Sequence, residues 1–92
     1  MYVYFFHSNY GLFPIVKIGF SKNPETRLKQ IQPNFPEQIS FNKDLNCVYC
    51  EGEFEARKLE NTLHKRLKKH RMFGEWFLCQ TEVYNVIAKA SQ

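Results

Sequence analysis

In "ARKLENTLHKRL", residues 56–67, a carboxylate stands where an apolar side chain is expected. Ala56, Leu59, Leu63 and Leu67 recur at helical spacing and form one face. At about 100° per residue, Glu60 falls inside that arc, roughly 40° from Ala56 and roughly 20° from Leu67. An ionised carboxylate on a buried face is costly unless it is paired or bound to a metal. Two readings follow. Glu60 is a salt-bridge partner of Arg27 or Lys17, or it holds a divalent cation. A lone interior Glu binds such an ion weakly, and Mg²⁺ keeps several waters and leans on phosphate oxygens of the substrate.

Other residues could share that chemistry. Arg27 lies near the start of the helix read over "NPETRLKQI", where the macrodipole disfavours a cation, yet a helix start with an arginine suits a phosphate. Lys17 interrupts the apolar "IVKIG"; as an edge or outward-facing residue it needs no special role. Tyr4 sits among aromatics in "YVYFF" and by default is a core ring with a satisfied hydroxyl. His64, four residues after Glu60, falls at the border of the apolar face, where a histidine is commonly a surface residue. One Glu, one Arg, one Tyr and one Lys on a basic surface make a phosphodiesterase set.

The elements that must position these residues can be read coarsely. "YVYFF" (2–6) and "IVKIG" (15–19) read as strands joined by the loop "HSNYGLFP". Both faces of the first are apolar, so the sheet is covered on both sides. Asn23 caps a helix with Pro24 at its first position, and "PNFPEQ" ends it. A third strand spans about 39–50, and a long helix runs from about Phe54 to Lys69. "FGEWFLC" reads as a turn and a short extended piece, followed by a last helix, "EVYNVIAKA", capped by Thr81. The order is β-β-α-β-α-α, an α+β fold with a small three-stranded sheet and about three helices.

The 92 residues suit one domain spanning 1–92, and 43% hydrophobic with 16% aromatic content is enough for a packed core. No apolar run approaches the length of a membrane span and no signal-peptide pattern opens the chain, which predicts a soluble, intracellular protein. Cys47 and Cys50 in "CVYC" have the spacing of half a zinc site, but no second CxxC or HxxxH follows. They read as small apolar thiols on an extended segment. Seven of the thirteen Lys and Arg residues (Arg57, Lys58, Lys65, Arg66, Lys68, Lys69 and Arg71) lie within residues 57–71. Such a patch suits a polyanion, although a solvated helix face explains most charge runs.

Taken in order, these residues resemble the GIY-YIG nuclease superfamily, most closely its small viral and bacterial branch. The resemblance is carried by "VYF" at 3–5, "VKIG" at 16–19, "NPETRLKQ" at 23–30, "LENTLHKRL" at 59–67 and "RMFGEWF" at 71–77. It implies a three-stranded antiparallel sheet with flanking helices. It also implies a DNA endonuclease dependent on Mg²⁺ or Mn²⁺, with Tyr4 activating water, Arg27 binding the phosphate and Glu60 as sole protein ligand of one metal ion. Two positions depart from the pattern: Tyr2 stands at the glycine of the first motif and Lys17 at the tyrosine of the second. An ammonium near Tyr4 would favour its phenolate. His64 would assist at the phosphate, and Lys65, Lys68, Lys69 and Arg71 would contact DNA. The late asparagine of many family members has no secure match; Glu75 in "GEWF" occupies roughly that region, and Glu75 and Trp76 could simply close the core.

The resemblance further implies action in the cytoplasm or at the nucleoid (in a host cell if viral), with a homodimer or a protein partner as the source of specificity. A non-catalytic nucleic-acid-binding module of the same fold is the alternative. A protein-interaction module using the aromatic residues is a third reading, which the lysine patch disfavours.

Overall fold

A computed structural model describes residues 1–91. Two nine-residue strands form its centre: β1 (Tyr2–Tyr10) and β2 (Phe13–Ser21) pair antiparallel from Tyr2↔Ser21 to Tyr10↔Phe13. Only Gly11 and Leu12 separate them. Gly11 has φ +61°, the positive value that a two-residue hairpin turn requires at its first central position. Most of "HSNYGLFP" is therefore strand, not loop, because Gly11 reverses the chain without help from Pro14.

The sheet has five antiparallel strands in the order β3-β1-β2-β5-β4, with β3 at Cys47–Tyr49, β4 at Arg71–Phe73 and β5 at Trp76–Leu78. This corrects the expected three-stranded sheet. The two added strands are three residues each, too short for any alternation to register, and Gly74 (φ +52°) turns one into the other. The third strand also shrinks from the expected 39–50. Asn42 and Asn46 close a turn in which Asn46 Oδ1 accepts the Asn42 N–H at 3.0 Å and Asn42 Oδ1 accepts the Asp44 N–H at 2.9 Å. Upstream of that turn, only a single bridge, His7↔Ser40, pairs with β1.

Three helices cover the sheet: α1 (Pro24–Ile31), α2 (Glu53–Arg66) and α3 (Thr81–Ala90). Asn23 caps α1 as expected, its Oδ1 accepting the Thr26 N–H at 3.2 Å. Helix α2 ends three residues short of Lys69, where Lys68–His70 tighten into a 3₁₀ turn. Thr81 begins α3 as its first residue, and Gln80 holds the cap position without a side-chain bond. Val3, Phe5, Val16, Ile18 and Phe77 meet α2 and α3 on one face through Ala56, Leu63, Leu67, Val83 and Ile87. Tyr4, Phe6, Ile15 and Trp76 form the other face with Leu28 and Ile31 of α1 and with Ile39. No helix among the described residues is long and apolar enough to cross a membrane.

Candidate active site

Strand β5 pairs with β2 only from Ile15 to Lys17, and the Ile18 N–H is then taken by the Glu75 carbonyl at 3.1 Å. From Gly19 onward the outer edge of β2 has no strand beside it among the described residues. The candidate site occupies this notch.

Tyr4 and Gly19 are cross-strand partners. A Cβ on residue 19 would collide with the Tyr4 hydroxyl and lie 2.6 Å from its Cζ, so the ring occupies space that only glycine leaves open. Tyr4 is buried and stacked on Phe6 with centroids 4.0 Å apart. Burial is the main cause that raises its pKa from 10.0 to about 12, with Glu75 and Glu60 adding to it. Arg27, donating a hydrogen bond to the Tyr4 hydroxyl, acts in the opposite direction. Lys17 is not among the groups that shift the Tyr4 hydroxyl. Its ammonium pairs with Glu75 Oε1 at 3.2 Å and lies 5.8 Å from the Trp76 ring centroid.

Glu60 is buried on α2, as its place on the apolar face required. None of the ion pairs among the described residues involves it; Lys17 pairs with Glu75, and Arg27 turns to Gln30 Oε1 at 3.3 Å. Desolvation raises the Glu60 pKa, Glu75 raises it further, and His64 and Lys17 offset part of the rise. His64 Nε2 donates to the Ile18 carbonyl at 2.8 Å, and the ring meets Phe77 edge-on at 5.0 Å. That bond puts a proton on Nε2, so Nδ1 is the ring nitrogen turned toward other partners. Glu60, His64 and Glu75 each place a ligand atom within 4.8 Å of the others. The structure thus brings Tyr4, Lys17, Arg27, Glu60 and His64 together and adds Gly19 and Glu75. "VKIG" already signals Gly19, as a glycine inside a strand. For Glu75 the only signal is a carboxylate beside a turn glycine.

Lys65, Lys68, Lys69 and Arg71 are exposed, and Lys69 is partly neutralised by Glu82 at 3.6 Å. Arg57, Lys58 and Lys65 also line a cavity of about 340 Å³ on the outer side of α2. Cys47, Cys50 and Cys79 are free thiols and belong to no cluster of metal-ligating side chains among the described residues.

The T5orf172 domain family model matches residues 1–91. The chain belongs to the T5orf172 domain family, a class of nuclease-like, DNA-binding domains. This corrects the resemblance drawn from the motifs: no GIY-YIG family model matches. Five short motifs, departing at Tyr2 and Lys17, constrain few positions, whereas the family match rests on the whole chain. The chain is 41% identical over 76 residues to uncharacterized protein 460R of Invertebrate iridescent virus 6, covering 83% of this chain and 31% of that protein. It is 34% identical over 76 residues to the putative KilA-N domain-containing protein 315L of the same virus, covering 75% of this chain and 28% of that protein. The chain therefore spans less than a third of the length of these curated relatives. No solved structure matches it.

Proposed function

We propose that this domain is the catalytic part of a divalent-metal-dependent DNA endonuclease. The observation that supports it best is the convergence of three metal-ligating side chains, Glu60, His64 and Glu75, with the Tyr4 hydroxyl and a solvent-facing Arg27. Two carboxylates and an imidazole suit Mn²⁺ and accommodate Mg²⁺. The donor set is larger than Glu60 alone, and a cation there relieves the mutual repulsion of Glu60 and Glu75. When bound, the ion would supply Lewis-acid stabilisation of phosphate charge and cancel the carboxylate field at Tyr4.

The remaining work falls to the chain. Arg27, exposed beside the Tyr4 hydroxyl, binds the scissile phosphate and steadies its developing charge. In the resting site Tyr4 is a phenol, because its pKa is about 12; it first gives its own proton to solvent, and the phenolate then takes a proton from the attacking water. Lys17 holds Glu75 in place and His64 is fixed by Ile18. Lys65, Lys68 and Arg71 hold the flanking backbone. Specificity comes from a partner, a second copy or a neighbouring segment, in keeping with relatives more than three times as long as the matched region.

The test is incubation with supercoiled plasmid and Mg²⁺ or Mn²⁺, with and without chelator. Nicking or cleavage that stops with chelator is the expected result. DNA binding without cleavage under every metal condition would leave the domain as a binding module only.

A further inference from the structure

Large aromatic side chains gather, exposed, at the turn end of the β1–β2 hairpin. Tyr10 is 53% exposed, Phe13 56% and Phe73 40%, and the Tyr10 and Phe73 rings stand 5.4 Å apart at 58°. Strand alternation puts all three on the same face as Tyr4 and Lys17. Phe73 pairs with Trp76, and Trp76 with Lys17. Two interstrand spacings therefore part Phe73 from Lys17 at the near edge of the candidate site, about 10 Å of backbone, and six positions along β1 part Tyr10 from Tyr4, about 20 Å. Those distances are roughly three to six base-pair rises. Arg71 stands exposed on the same edge strand, two residues from Phe73. A nucleic-acid backbone held at Arg71 can lay a base over the rim onto the rings.

We propose that Tyr10 and Phe73 form a stacking platform for an unpaired nucleobase a few nucleotides from the cleaved phosphate. The substrate class is then DNA with a single-stranded segment beside the cut: a tail, flap or gap. The inference rests on the endonuclease reading for its link to cleavage, while the platform itself rests on exposure, geometry and charge. A base inside a duplex shows no open face to a protein, whereas an unpaired base of any identity can stack on an aromatic ring. A second copy of the chain fits less well. Three half-exposed rings offer roughly 300 Å². A stable interface takes about 800 Å² from each partner, and Leu12 and Met72 at the same end do not make up the difference.

The experiment measures binding in chelator to a labelled blunt duplex and to the same duplex with a single-stranded tail of about five nucleotides, in both polarities. The parent should prefer one tailed duplex by about tenfold. Tyr10→Leu combined with Phe73→Leu keeps the apolar character and removes the stacking faces. It should lose the preference while keeping its melting temperature, its affinity for blunt duplex and the salt dependence of that affinity. Phe73→Tyr should retain the preference. An equal preference in the double leucine variant overturns the proposal, as does a parent that does not discriminate. A parent that sediments as a dimer, and becomes a monomer with Tyr10→Ser and Phe73→Ser, also overturns it by making the patch a subunit interface. Plasmid cleavage separates this inference from the reading beneath it. A parent that cleaves but ignores tails sinks the platform alone. A preference that tracks the rings without cleavage sinks the endonuclease and leaves the platform standing.

Discussion

Glu60 and Arg27 separate the chemistry of the site from its stability. The folded protein keeps the Glu60 proton to higher pH than the unfolded chain does, because burial and Glu75 raise its pKa. Between those two values the folded state binds more protons, so stability falls as pH rises. Glu60→Gln has no proton to lose. Its melting temperature should match the parent's in acid, below the ordinary glutamate pKa, and exceed it at neutral pH. Cleavage should vanish. Mn²⁺ at a hundred times its Kd should stabilise the parent by about 2.7 kcal/mol and the variant not at all. A variant less stable than the parent at neutral pH would restore the salt-bridge reading. Arg27→Ala should cost under about 1 kcal/mol, since the side chain is exposed on a short helix. Arg27 also lowers the Tyr4 pKa, so its loss should lower the cleavage rate and move the rising limb of the pH–rate profile to higher pH. An unmoved limb would detach Arg27 from Tyr4.

At the level of elements, β1 and β2 set the site by a single close approach. Gly19→Ala places a methyl group where the Tyr4 hydroxyl lies. The ring must tilt within a packed face, which should cost about 1–3 kcal/mol and most of the activity. A crystal structure of the variant with Tyr4 unmoved would refute that cause. How much of this the sequence carried depends on element length. Glu60 declared itself because α2 spans several turns, and a carboxylate inside a repeating apolar arc stands out. Asn23 and Pro24 marked the start of α1 by local chemistry alone. By contrast, β4 and β5 are defined by partners distant in sequence, and three residues carry no period of their own. The same reason hid Glu75. Its role depends on Lys17 on the neighbouring strand, the cross-strand partner of Trp76, and nothing near residue 75 announces that meeting. The charge on Lys17 was legible; its partner was not.

Over the whole molecule, positive charge concentrates on the end of α2 and the strand that follows it. Affinity for duplex DNA should fall steeply with salt as phosphate contacts release counterions. Replacing Lys65 and Lys68 by Gln should flatten the slope of log affinity against log salt by about two. Adding Lys69→Gln should change it by less than either, because Glu82 already occupies that ammonium. Equal steps for all three lysines would mean that the Lys69–Glu82 pair opens on binding. An unchanged slope would move the DNA to another surface.

The site divides cleanly along the chain. Tyr4, Lys17, Gly19 and Arg27 come from the first hairpin and helix, and Glu60, His64 and Glu75 from the segment beyond the exposed turn at residues 42–45. Neither half holds a complete set, so a chain interrupted in that turn is inert until its halves meet. Exposed turns are where chains tolerate a break. Fragments 1–43 and 44–92, each expressed with a fused pairing tag, should be silent apart and cut DNA together. The domain would then serve as a split reporter, in which scission of DNA records the encounter of two other molecules.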